Sequence, residues 1–318
     1  MPLPAMKDTD SRSAKLRPKR CTLSPRRRCS VPHFVELGSL WPHIVAVLAL
    51  SAAIFFVVLH FTAKLTLTRR NVAGLLIVAS ILGYGFLLAD SPALIAIVPI
   101  TNVVVYGNFL PLLCALLAGV LCSDTAVPLW RRIISGTLLL AFCVISLLYP
   151  LRGECPPTHN NIVKGECIQT SQTTCSPAVA VNLLAFHGIK ATESEMCRLC
   201  LTTREGTRLA GLYRGLRIKT AGTQFKVMVR KTDIEDLRRH VTPPAILSVR
   251  LNAETSRREP KYVSTWGWTE GVAHCVLFLG FTNETTVTMS DPSYGQEPWN
   301  IDAVKDLWTG QIVQLVRQ

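Results

Sequence analysis

Hydrophobic and polar positions divide the 318-residue chain into three stretches of different character. Up to Gly38 the residues are largely Arg, Pro, Ser and Lys, with little to bury. Such a stretch predicts a basic, mostly disordered tail over residues 1–40. Residues 41–63 (WPHIVAVLALSAAIFFVVLHFTA) then carry no charged residue, and neither do residues 71–89 (NVAGLLIVASILGYGFLLA). Each run is about 20 residues, the length that crosses a bilayer as a helix. A third span is expected near 105–122, after a shorter apolar piece, PALIAIVPITN, interrupted by Pro99 and Asn102. That piece reads as a broken or re-entrant helix, which membrane depth tolerates only where protein covers its free backbone groups. Residues 133–149 make the last span, with Trp130, Arg131 and Arg132 as interfacial anchors at its start. Residues 41–150 are thus expected to be an all-α transmembrane region of four helices, or five if 92–106 also crosses. So many apolar runs in so short a segment disfavour buried helices of a large soluble protein.

After Tyr149-Pro150 the pattern changes. Residues 176–188 have the spacing of an amphipathic helix ended by Gly188, and Thr192 with Glu195 forms a capping box for a second helix through MCRLCL. A third helix is expected over 207–220. Strand-like runs follow at 224–230, 244–251, 272–281, 285–290 and 310–317, with short helices at 233–240 and 301–308. Helices first and an antiparallel sheet afterwards give residues 151–318 an α+β fold, not a doubly wound one.

The formal net charge is +13. Much of it sits beside the apolar spans, where it suits anionic lipid headgroups or a topology signal. No basic patch is interleaved with aromatic residues, so no nucleic-acid partner is expected. A cleaved signal peptide is excluded because the first apolar run begins near Trp41 and is too long. The charge pattern does not choose a side: the tail pulls one way, and Lys64, Arg69, Arg70, Arg131 and Arg132 pull the loops the same way. With four spans the C-terminal domain shares a side with the tail; with five it does not.

Three residues of the C-terminal domain form a candidate constellation for nucleophilic catalysis. Cys175, in TTCSPA, stands directly before a helix with Pro177 in its first turn, where the helix dipole and unpaired N–H groups favour a thiolate. His274 begins the strand AHCVLFLGF, and Asp291 follows the strand TTVTMS across a tight turn at Asn283-Glu284. On adjacent antiparallel strands the two would lie side by side, so that Asp291 orients the imidazole for a thiolate nucleophile. Alone, a cysteine before a helix or a histidine in a strand is most often structural. The order of all three is more specific.

The stretch from Cys167 to Leu216, with HCVLFLGF and DPSYG downstream, resembles the bacteriocin-processing cysteine peptidases, the papain-like domains at the front of exporters that cleave double-glycine leader peptides. The family pattern has a Gln six residues before the nucleophile, and Gln169 stands six before Cys175. The resemblance implies Gln169 as oxyanion donor beside the Cys175 N–H; Gln172 has the wrong spacing, and the bland reading of Gln169 is a solvated loop amide. It implies a papain-like cysteine peptidase domain acting on a peptide or protein substrate, leader peptides included. Ser176 departs from the usual Gly, and Cys275 replaces an aromatic after the histidine. No Gly-x-x-x-x-Gly-Lys-Ser/Thr loop occurs, so no fused ATP-binding domain is expected, which leaves room for a separate transporter partner. The same triad suits an acyl transferase or amidase, and a decayed member would be a peptide-binding membrane module without catalysis.

The chain has 11 cysteines. Cys197 and Cys200 form a CxxC inside a helix, read as core residues beside Met196 and Leu199. Zinc there would need Cys155, Cys167 or a His as further ligands. A Cys155–Cys167 bridge is open if the domain faces an oxidising compartment. The sequon Asn283-Glu284-Thr285 is discounted, and nothing implies a cofactor or a bound metal.

Overall fold

The computed structural model describes residues 31, 32 and 34–318, with side chains from residue 38 onward. The basic tail therefore lies almost entirely outside the described residues. Where the tail was expected to run to residue 40, the first helix already begins at Phe34.

The N-terminal unit opens with a two-residue strand, β1 (Val31–Pro32), and continues with helices α1 (Phe34–Thr62) and α2 (Leu67–Gly83). A π-turn, Tyr84–Leu88, extends α2. Two short pieces follow, α3 (Pro92–Ile97) and α4 (Val103–Tyr106), then α5 (Leu110–Cys122) and α6 (Leu129–Leu148). Among the described residues, four segments are long and apolar enough to cross a membrane: Gly38–Thr62, Leu67–Leu88, Val103–Cys122 and Leu129–Leu151. The helices pack closely where side chains are small. A Cβ at Gly119 of α5 would stand 2.8 Å from Val58 of α1.

The break at Pro99 and Asn102 is where α3 ends and α4 begins, and it rules out a fifth crossing. At six residues α3 spans about 9 Å, far short of a bilayer. Leu94, Ile95 and Val103 are instead buried in one cluster with Leu212, Tyr213 and Val227 of the C-terminal domain. Asp90, just before α3, accepts from the Ala210 N–H at 3.2 Å. The start of α1 contributes too: Leu40, Ile44 and Val47 share a cluster with Leu201. The N-terminal unit is therefore a seat as well as an apolar bundle.

The chain then forms β2 (Glu154–Cys155), which pairs with β1, and the hairpin β3 (Asn161–Val163) and β4 (Glu166–Ile168). Three helices follow: α7 (Cys175–Phe186), α8 (Glu193–Leu199) and α9 (Leu209–Thr220). Residues Cys175 to Leu184 of α7 are all buried, so the helix is apolar around its circumference and central to the domain. At α8 the expected cap is present, with Thr192 Oγ1 accepting from the Glu195 N–H at 3.2 Å. The Glu195 carboxylate goes to Lys219 of α9 at 2.9 Å.

The rest of the domain is β5 (Phe225–Lys231), α10 (Ile234–His240), β6 (Ala245–Arg250), α11 (Ala253–Arg258), α12 (Lys261–Ser264), β7 (Ala273–Phe281), β8 (Thr286–Asp291), β9 (Gly295–Asn300), α13 (Ile301–Leu307) and β10 (Trp308–Arg317). Six strands make one antiparallel sheet in the order β5-β10-β6-β7-β8-β9. One face carries α7, α9 and α3. The other buries Tyr262, Trp268, Phe278, Trp299 and Leu307. The α+β reading holds. The edge strand β9 and the helices α11 and α12 have no counterpart in the sequence reading.

Candidate active site

Cys175 is the first residue of α7, and its N–H heads the helix. Packing of α7 on the sheet carries its sulfur to the start of β7, where His274 and Cys275 stand. His274 donates its Nε2–H to Asp291 Oδ1 at 2.9 Å, so its other ring nitrogen is the one available to Cys175.

Strand register explains how His274 and Asp291 meet. Leu277 pairs with Ser290, which places Val276 opposite Asp291. His274 lies two residues farther along β7, on the same face as Val276, and reaches Asp291 on the diagonal. Asp291 is wholly buried, and three groups hold its carboxylate. Oδ1 meets His274 and accepts the Ser293 N–H at 2.7 Å, while Oδ2 accepts the Trp268 indole N–H at 3.1 Å. The Trp268 ring also lies against the imidazole, centroids 4.5 Å apart.

The electrostatics follow from this geometry. Burial opposes a charge on His274, but the Asp291 carboxylate and then the Cys175 sulfur outweigh it, and the ring is pushed up to about 10. Cys175 is held well below the ordinary thiol value. The leading cause is a hydrogen bond from Cys275; burial works against it, and the bond and charge of His274 work with it. Cys275 moves the opposite way, raised by that same bond and by burial.

Gln169 is positioned from two sides. Asn182, buried in the middle of α7, accepts the Cys167 N–H at 2.7 Å and donates to the Cys167 carbonyl at 3.1 Å, which fixes β4 against the helix. Two residues on, the Gln169 N–H donates to the Pro292 carbonyl at 2.8 Å. The Gln169 side chain lines a pocket of about 30 Å³ together with His274, Trp268 and Ser293, and its Oε1 is buried without a hydrogen-bond partner among the described residues. Gln172 is exposed and donates its amide to the Gly267 carbonyl at 2.8 Å. The structure thus gathers Cys175, His274, Asp291 and Gln169 at one end of α7 and β7, and Gln172 lines the same pocket as Gln169 and the cleft at Cys175, with its amide nitrogen held by Gly267.

Residues 166–318 match the model of the Peptidase C39 family. The C-terminal unit is a C39 peptidase-like domain. Solved structures similar to the chain include the peptidase domain of Streptococcus ComA, described as a bi-functional ABC transporter involved in quorum sensing. It is 20% identical with a TM-score of 0.38, over 48% of this chain and 97% of that one. A double-glycine motif protease from an AMS/PCAT transporter, in complex with its leader peptide, is 15% identical with a TM-score of 0.38, over 51% and 95%. The peptidase domain of Streptococcus mutans ComA is 20% identical with a TM-score of 0.33, over 48% and 98%. No curated protein matches the chain.

A cleft of about 490 Å³ runs along the C39 domain past the Cys175 sulfur. Ser176, Cys275, Leu212 and Ser248 line it, and so does Asp90 from the N-terminal unit. The sequence reading missed Trp268, Asn182 and Asp90. None sits in a motif, and each acts on a group far away in the chain.

The remaining cysteines divide differently from the sequence reading. Cys155 and Cys167 are both free, and Cys197, not Cys167, is the cysteine whose sulfur bears on Cys155. Cys197 and Cys200 are buried in the helical layer. Among the described residues no group of His, Cys, Asp and Glu is arranged to hold a metal ion.

Proposed function

We propose that the chain is a membrane-anchored cysteine endopeptidase whose catalytic residues are Cys175, His274, Asp291 and Gln169. The observation that carries this reading is the buried Asp291 fixed at 2.9 Å from His274, with Cys175 heading α7 beside the same ring. The family match supports cysteine peptidase chemistry. The membrane region would run over 41–150 and the peptidase domain over 151–318. The four apolar helices support the anchor, and four crossings would return the peptidase domain to the side of β1, with which β2 pairs.

In this reading the Cys175 thiolate attacks the scissile carbonyl carbon. The oxyanion takes hydrogen bonds from the Cys175 N–H and the Gln169 amide, donors already in place before charge develops. His274 gives its proton to the departing amine, and a thioester to Cys175 remains. The neutral ring then takes a proton from water, which attacks the thioester and releases the acid, restoring the ion pair. Asp291 fixes the ring orientation throughout.

A peptide substrate is proposed, and double-glycine leader peptides are the class suggested by the neighbours. The test is the full chain in detergent, wild type and Cys175→Ala, with such a leader and with unrelated unfolded peptides. Cleavage by the wild type alone is expected. Equal cleavage by both removes Cys175 from the mechanism. Cleavage of other peptides but not the leader removes only leader specificity and leaves the peptidase. Incorporation of a primary amine in place of water would instead favour acyl transfer.

A further inference from the structure

The residue after the catalytic histidine, where the family resemblance leads one to expect an aromatic side chain, is Cys275. Strand neighbours point to opposite faces, so while His274 turns to Asp291, Cys275 turns to the helix-bearing face and to α7. There it meets the nucleophile. Cys175, Ser176 and Cys275 line the same cleft, with Ser176 Oγ standing between the two sulfurs. It lies 3.9 Å from Cys175 Sγ and donates to Cys275 Sγ at 3.3 Å. Both sulfurs line the cleft of about 490 Å³, so a small oxidant reaches them without opening the fold.

We infer that Cys275 is a resolving thiol for Cys175, and that the pair closes into a reversible Cys175–Cys275 disulfide when the site is exposed to a hydroperoxide. The Cys175 thiolate attacks one peroxide oxygen, the O–O bond breaks, and Cys175 becomes a sulfenic acid with release of hydroxide. The Cys275 sulfur then attacks the sulfenic sulfur. The S–O bond breaks, the oxygen leaves as water with the Cys275 proton, and an S–S bond forms. Hydrogen peroxide is the electron acceptor, and the two sulfurs together give up two electrons. A dithiol reverses the step by exchange through a mixed disulfide. The consequence is protective: a disulfide is recoverable, whereas further oxidation of Cys175 to the sulfinic state is not.

The inference rests on reading Cys175 as the reactive thiolate, and the test separates the two. The full chain in detergent is labelled with iodoacetamide at pH 6, before and after hydrogen peroxide, and then after dithiothreitol; disulfides are mapped by proteolysis and mass spectrometry. The wild type should label at Cys175, lose that labelling with peroxide, yield a linked peptide pair containing Cys175 and Cys275, and recover with dithiothreitol. Cys275→Ser should instead give a dimedone-trapped sulfenic acid at Cys175 and then a sulfinic acid that dithiothreitol does not restore. A wild-type Cys175 that labels at pH 6 but goes to sulfenic and sulfinic acid with no Cys275 link overturns the resolving role and leaves the peptidase reading. A Cys175 that does not label at pH 6, yet links to Cys275 under the general thiol oxidant diamide, overturns the nucleophile reading and keeps the bridge. The wild-type mapping decides the matter even if Cys275→Ser fails to fold.

Discussion

Trp268 donates its indole N–H to Asp291 Oδ2 at 3.1 Å, leaving Oδ1 for His274. The carboxylate is wholly buried, so its solvation comes from these donors and the Ser293 N–H. Removing a donor to a buried charged group costs about 1.5–3 kcal/mol. Trp268→Phe keeps a ring against the imidazole but deletes the N–H. In the proposed peptidase it should lower kcat about 10- to 100-fold by the same figure. Steady-state kinetics of that variant check this, and a kcat within twofold of wild type would show that Trp268 only packs.

The Cys175–His274 pair sets the pH behaviour. His274 is raised from an ordinary 6.5 to about 10, so the stabilisation of its charged form is fully present below about 6.5 and is lost as pH rises through about 10. Cys175 is lowered from 9.0, so the stabilisation of its thiolate is fully present above 9.0 and is lost as pH falls through its folded value. Below about 10 both shifts favour a thiolate beside an imidazolium. Iodoacetamide labelling of Cys175 should therefore begin below the ordinary thiol range, and proteolysis should fall as pH rises through about 10. His274→Ala should move the onset of labelling toward the ordinary thiol range. An onset indifferent to His274 would break the ion-pair reading.

Gln169 and Gln172 can be told apart by kinetics. Loss of one oxyanion donor typically costs about 10²–10³ in kcat, with little change in ground-state binding. Gln169→Ala should show that pattern. Gln172→Ala removes a bond to the Gly267 carbonyl and a lining side chain of the cleft, so it should change KM more than kcat. Reversed effects would transfer the oxyanion role to Gln172.

The sequence was informative where local chemistry and long-range role coincide. Cys175 is marked by its place at the start of α7, and His274 and Asp291 by strands whose hairpin brings them together. Asn182 looks like an ordinary polar residue in a helix, because its partners are the backbone atoms of Cys167 in another element. Trp268 lies in the stretch between β6 and β7, with no periodicity to mark it. Strand β9 was hidden by its composition: GQEPWN holds Pro298 and polar residues, which only a sheet edge tolerates. The α3 segment was read by its apolarity alone, and apolarity does not distinguish lipid from a protein surface.

Close helix packing in the C39 domain depends on α9. A Cβ at Gly211 would stand 2.2 Å from the Cys200 carbonyl oxygen, a backbone atom that cannot rotate away. Gly211→Ala must therefore push α9 from the end of α8, at about 1–3 kcal/mol, the usual range for overpacking. Thermal unfolding of the full chain should show a lowered Tm for the C39 domain. An unchanged Tm would mean that α9 shifts at no cost.

The seat formed by α3 has a consequence for any attempt to free the peptidase domain. Leu94 and Ile95 are each only 4% exposed, and they are buried in one cluster with Phe225, Val227 and Val229 of β5. Burying a side chain of that size contributes about 1.5–3 kcal/mol. A fragment of residues 150–318 would lose both and expose an apolar strip on the edge strand β5, an arrangement that invites association. Size-exclusion chromatography should show this fragment as oligomers or aggregate. A fragment beginning at residue 90 keeps α3 but carries bare apolar helices, so the remedy is to make the strip polar, with Val227→Lys and Val229→Thr in the shorter fragment. Its return to a monomer would identify the α3 seat as what held the strip. A wild-type fragment that is already monomeric would show that α7 and α9 alone cover β5.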